Sequence, residues 1–183
     1  MKNIIIILFF AGIATVGLAQ TTKPKVEPKW QDFSTTINAP EQEKITMVYI
    51  YKSPCDLCPA VEEAIFADTT VVNALTKDFM SIKFDAAIKD DVVVKGQKYP
   101  FADFGGGNGY NIYAVVLLGG KMNYSTFVFL DKEGEKIGTH YFIKDPKTMA
   151  QLDAAEFLFI LRYYSSGAYA EEGASYDEWI KKQ

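Results

Sequence analysis

The sequence predicts an α/β fold, a mixed β-sheet with helices on both faces, an inserted β-hairpin and a C-terminal helical extension. Three observations lead there. Short β-branched and aromatic runs, ITMVYIY at Ile45–Tyr51 and TFVFL at Thr126–Leu130, have the length and composition of buried strands. Between the first strands lie segments whose apolar residues recur at helical spacing. In the second half two strands follow each other across a turn, before a closing helix.

Element by element, Trp30 begins the folded part, after the charged, proline-containing TTKPKVEPK, which reads as a solvated linker over residues 20–29. Residues 32–44 have weak helical character, interrupted at Pro40. The strand Ile45–Tyr51 comes next. Beyond it Leu57, Val61 and Ile65 recur on one face with Glu62 and Glu63 opposite, an amphipathic helix. Asp68 caps a further helical piece over 70–77, and SIKFDA at 81–86 is the next strand.

VVVKGQKYPF, residues 92–101, holds two short runs around Lys95-Gly96-Gln97 and reads as a hairpin. The loop Gly105-Gly106-Gly107-Asn108-Gly109 has neither GxGxxG spacing nor a Gly-Lys-Ser/Thr ending, so it is not a phosphate cradle. Residues 110–118 read as helix, stopped by Gly119-Gly120. After the strand Thr126–Leu130, Asp131-Lys132-Glu133-Gly134 turns the chain into a second strand over 135–142. Asp153 starts a segment reaching Tyr164; its core FLFIL is apolar all round, compatible with strand or helix, and length favours helix. A short terminal helix over 176–182 has Trp179 as its anchor.

The first nineteen residues bear on location. Lys2, the apolar run from Ile4 to Ala19, and the small Gly17 and Ala19 form a secretory signal cleaved near Gln20. The run is shorter than the ~20 residues of a membrane-spanning helix, and with no cysteine near the cleavage point a lipid anchor is not expected. The expected location is therefore periplasmic or secreted, and residues 30–183 form one domain. Losing Lys2 takes the formal charge from −4 to −5, an acidity that disfavours nucleic acid and anionic membranes as partners.

The only two cysteines, Cys55 and Cys58, stand three apart in KSPCDLCPAVEE, straight after a strand. Dithiol exchange needs one exposed thiolate to attack a disulfide sulfur and a second thiol to resolve the mixed disulfide; it requires no cofactor. At a helix start the first cysteine meets unpaired N–H groups and the positive end of the dipole, and the second lies one turn on, facing the core. That makes Cys55 the nucleophile and Cys58 the resolving thiol. Pro59 excludes a much earlier helix start, so Asp56 is the expected N-cap. Its carboxylate beside Cys55 disfavours the thiolate, which points to a reductase-like or moderate exchanger.

A structural zinc site wants four ligands, and two cysteines with the distant His140 do not supply them, so no metal is expected. His140 reads as a structural residue. A purely structural disulfide is the other reading of the pair, but so short a loop removes little chain entropy.

With CxxC after a strand and TFVFLDKEGEKI some seventy residues later, the chain resembles the thioredoxin superfamily. More closely, it looks like the exported thioredoxin-family proteins of the Bacteroidetes type. The stretches ITMVYIYKSPCDLCPAVEEAIF, VVNALTKDFMSIKFDA, VVVKGQKYPF, AVVLLGGKMNYSTFVFLDKEGEKI and LRYYSSGAYAEEGASYDEWIKK carry the likeness, from about Trp30 to Lys182. The resemblance implies a thioredoxin-like sheet and thiol–disulfide exchange with other exported proteins, with electrons from a membrane-embedded reductase relay. Cys55 matches the family's attacking cysteine and Cys58 its buried partner.

The sequence departs from that pattern at three places. Pro54 replaces a tryptophan before the first cysteine. Tyr49 stands where many members hold a buried aspartate that assists proton transfer at the second thiol, which implies transfer through water or a slower route. In the substrate-facing loop Tyr124-Ser125-Thr126, Ser125 occupies the family's cis-proline position. A non-proline cis bond costs about 3 kcal/mol, so a trans peptide is expected there. Ser125 either brings a hydroxyl towards the sulfurs or is ordinary drift in a tolerant loop. Two functions therefore stand: an exported oxidoreductase working in the reducing direction, and a non-catalytic thioredoxin-fold binding module whose CxxC is a stable disulfide.

Overall fold

The computed structural model describes residues 27–39 and 43–183. The expected secretory signal, most of the expected linker and Pro40 lie outside the described residues. A five-stranded sheet runs through the centre in the order β1–β3–β2–β8–β9, with β1 Trp30–Gln31, β2 Ile45–Tyr51, β3 Phe79–Asp85, β8 Thr126–Leu130 and β9 Lys136–Tyr141. Strands β1, β3 and β2 are mutually parallel, whereas β8 lies antiparallel to both β2 and β9. The α/β mixed sheet expected from the sequence is present.

Successive side chains of a strand point to opposite faces, and this sheet is covered on both. Met47 and Tyr49 of β2 and Phe127 and Phe129 of β8 enter one core. That core is closed by α2 (Cys58–Val61), the π-helical turn Glu62–Phe66 that continues it, α3 (Thr69–Asp78) and α5 (Ala154–Ser165). Val48, Ile50, Val128 and Leu130 enter the other core, against α1 (Phe33–Ile37) and α4 (Ile112–Leu118). Two-sided burial is why ITMVYIY and TFVFL read as continuous apolar runs.

Helix starts follow capping chemistry where the cap is local. Asp32, Asp68, Asn111 and Asp153 each accept from a backbone N–H at the start of α1, α3, α4 and α5. Gly119, in the left-handed conformation with φ 61°, ends α4.

Several boundaries differ from the sequence reading. The hairpin is β4 (Val92–Val94) with β5 (Gln97–Tyr99), while Phe101–Ala102 (β6) pairs with Tyr110–Asn111 (β7) instead. Tyr110 is thus in a strand, and the helix begins after the Asn111 cap. The strand expected over 135–142 stops at Tyr141 and leads into a further small ladder, β10 (Ile143–Asp145) with β11 (Ala150–Gln151). These two- and three-residue ladders are held by tertiary pairing and have no periodicity of their own. At the C-terminus α6 (Tyr176–Ile180) seats Trp179 against Tyr163, ring centroids 5.5 Å apart.

Candidate redox site

The chain leaves β2 at Tyr51 and reaches the cysteines within a few residues. Asp85, at the end of the neighbouring β3, shapes that loop: its Oδ1 accepts from the Ser53 N–H at 3.0 Å and from the Ala87 N–H at 2.8 Å. The Ser53–Pro54 peptide is cis. Cys55 and Cys58 are joined as a disulfide, S–S 2.00 Å with Cα atoms 5.5 Å apart. Cys55 faces a surface cleft of about 200 Å³, bounded by Lys52, Pro54, Asp56, Leu57, Tyr124 and Ser125. Cys58 packs against the first core.

The helix does not start as expected. Asp56 is exposed and caps nothing; Leu57 occupies the N-cap position without a side-chain bond, and the first helical bond runs from the Val61 N–H to Leu57 O at 3.0 Å. Asp56 lies inside the short loop that the Cys55–Cys58 disulfide closes, one residue ahead of the Leu57 N-cap. Pro59 falls in the first turn, where its missing N–H removes no intrahelical bond.

Beneath the disulfide the register of the sheet decides what the sulfurs meet. Tyr49 points to the α2 side of the sheet, stacked on Phe127 at 5.4 Å and edge-on to Phe66 at 5.5 Å. Its hydroxyl lies 3.3 Å from Cys58 Sγ, as donor, and 3.0 Å from Ser125 Oγ. Burial pushes the Tyr49 phenol up to about 12; the Ser125 hydrogen bond opposes this and the Glu62 carboxylate adds to it. At neutral pH it is a hydrogen-bond donor and not a base.

The peptide between Tyr124 and Ser125 is cis, not trans as expected. Tertiary contacts hold both ends of Ser125: its hydroxyl meets Tyr49, and its carbonyl accepts from the Phe142 N–H at 3.0 Å. Local sequence carries no trace of either partner. Thr126 is not in the cleft. It is fully buried, its hydroxyl donating to Asn123 O at 2.6 Å.

No protein-family model and no curated protein matches the chain. Among solved structures, a thioredoxin-fold protein from Helicobacter pylori superposes with TM-score 0.53 at 14% identity, over 84% of this chain and 86% of that one. The chain has a thioredoxin fold. A DsbH oxidoreductase (TM-score 0.48, 12% identity, 81% and 92% covered) and a thioredoxin from Thermus thermophilus (0.45, 22%, 70% and 80%) are also similar. On this thioredoxin fold the sequence-predicted Cys55, Cys58, Tyr49, Tyr124 and Ser125 come together at one end of β2 and β8. Asp85 and Lys52 were missed; an acidic residue closing the strand beside the CxxC loop was the available signal.

A larger cleft of about 620 Å³ lies elsewhere, between β9, α5 and residues 174–177. It holds His140, whose Nε2 is 3.0 Å from the Tyr164 hydroxyl. Burial lowers the His140 pKa to about 4, against a smaller opposing effect of Asp177. The disulfide opens on the smaller cleft and not on this one.

Proposed function

We propose that the protein is an exported thiol–disulfide oxidoreductase that exchanges disulfides with other exported proteins, in the reducing direction. The observation that carries this reading is the Cys55–Cys58 disulfide at a helix start, with Cys55 open to a cleft and Cys58 packed inward. A target's disulfide is attacked by the Cys55 thiolate, one target sulfur leaves as thiolate, and a mixed disulfide forms. Cys58 then attacks Cys55 Sγ, frees the second target sulfur and closes the protein's own disulfide. Two electrons pass from the dithiol to the target. A membrane-embedded reductase relay is the proposed source of those electrons, and the apolar leader the proposed route of export.

The test is reduction of insulin disulfides with dithiothreitol as donor. Wild type accelerates it, Cys55→Ser loses the acceleration, and Cys58→Ser accumulates mixed disulfides on Cys55. No Cys55-dependent rate with any dithiol donor would remove the enzyme reading.

The second reading, a binding module with a stable disulfide, is favoured by Tyr49, which offers no titratable carboxylate to the second thiol. Equilibration in glutathione buffers separates the two. A pair that stays oxidised below about −300 mV behaves as a structural disulfide.

A further inference from the structure

We propose that Ser125 and Tyr49 form a directed hydroxyl chain that donates a hydrogen bond to Cys58 Sγ and thereby stabilises the Cys58 thiolate. The inference rests on the exchange reaction proposed above and gives its buried sulfur a chemical partner.

Donor counting sets the direction. Each hydroxyl has one proton and can accept as well. The two oxygens are 3.0 Å apart, and Tyr49 is the hydrogen-bond partner of the Ser125 hydroxyl among the described residues. Ser125 is 1% exposed, so water does not serve it. If Tyr49 donated to Ser125, the Ser125 proton would be buried without an acceptor, a costly arrangement. If Ser125 donates to Tyr49, the Tyr49 proton goes to Cys58 Sγ at 3.3 Å and both donors are satisfied.

The chain acts in both directions of exchange. When the disulfide is reduced, a donor thiolate attacks Cys55 Sγ, the Cys55–Cys58 bond breaks, and its electron pair leaves on Cys58 Sγ, where the Tyr49 O–H meets it. When the mixed disulfide is resolved, Cys58 loses its proton to water and attacks as the thiolate held by Tyr49. Tyr49 acts as a hydrogen-bond donor and not as a base, since burial pushes its phenol up to about 12. A hydroxyl donor thus stands at the position where a carboxylate would act as a base.

Other charges face the same site. Glu62, one turn along from Cys58, is bridged to Lys83 at 3.1 Å. Lys52 and Asp56 line the cleft, Asp85 closes β3, and the Tyr51 and Tyr124 phenols, both raised by burial, are neighbours. Glu62 meets Cys58 through its backbone N–H, which donates to the Cys58 carbonyl, whereas the hydroxyl at Cys58 Sγ is that of Tyr49; all these groups are retained in the variants below.

The direct test is a titration of Cys58 in Cys55→Ser, where it is the sole thiol, followed by the ¹³Cβ chemical shift. Adding Tyr49→Phe keeps the ring and removes the donor; the midpoint is expected to rise by about one pH unit or more. Ser125→Ala is expected to raise it by a few tenths, through loss of polarisation of the Tyr49 hydroxyl. An unchanged midpoint in Tyr49→Phe overturns the proposal, and an unchanged or lower one in Ser125→Ala overturns the role given to Ser125. This readout needs no turnover, so it separates failure of the chain from failure of the exchange reaction. In turnover, with Cys55 present, Tyr49→Phe should prolong the mixed disulfide roughly three- to tenfold at neutral pH, the gap closing at high pH. A gap independent of pH would point to lost packing and overturn the electrostatic role.

Discussion

A Cβ on Gly138 would lie 1.7 Å from the Tyr164 hydroxyl and 2.7 Å from its Cζ, so the middle of β9 has room for that ring only because the residue is glycine. Tyr164 stacks on Phe129 at 4.1 Å and reaches His140 from the same position. Gly138→Ala is expected to destabilise the fold by about 1–3 kcal/mol in urea unfolding, since neither ring nor strand can withdraw without losing those contacts. The sulfurs show the same dependence on single atoms. Cys55 and Cys58 were legible from spacing, and Tyr49 and Ser125 were legible as departures. Their bonds to each other were not, because Ser125 is 76 residues from Tyr49 and only the antiparallel pairing of β8 with β2 brings them together. Thr126, next to Ser125, shows the limit: alternation along β8 turns it inward, away from the cleft.

At the scale of elements, the helices that could be read were those capped by their own sequence. Asp68 accepts from the N–H groups of both Thr70 and Val71, at 2.8 and 3.0 Å, and Asp153 from that of Glu156. Asp68→Ala should therefore lower stability by about 1 kcal/mol, measured as a shift in thermal midpoint, with insulin reduction at 25 °C unchanged. Helix α2 breaks the rule. Asp56 has the right side chain at the right spacing and caps nothing, because the disulfide loop, and not the capping preference, sets where the helix begins. The π-helical turn Glu62–Phe66 was also outside sequence reading; it carries Ile65 and Phe66 into the first core, where both are fully buried. Short ladders such as β6–β7 and β10–β11 have too few residues for a period to show.

For the whole molecule, two cores clamp one sheet, and its stability follows pH through His140. In the unfolded chain this histidine binds a proton near pH 6.5, whereas burial holds the folded value near 4. Between those values the unfolded state carries more protons, so stability falls as pH drops from about 6.5 to about 4 and is level with respect to this group outside that window. The slope approaches at most about 1.4 kcal/mol per pH unit. Urea midpoints measured from pH 7 to pH 4 should show this decline, and His140→Gln should flatten it. An equal decline in that variant would assign the slope to other groups. His140 lies by β9 and α5, so the redox cleft is expected to keep its exchange rate in the same substitution.

The sequence by itself determined the α/β class, the two buried strands and most of the larger helices, because apolar period, β-branched composition and local caps are properties of neighbouring residues. It also determined the CxxC pair, since spacing is covalent. Tertiary structure decided what lies beneath those cysteines. The facing of Tyr49, the cis peptide before Ser125, the displaced start of α2 and the reach of Asp85 all depend on strand register and on contacts between distant segments, which no local pattern encodes.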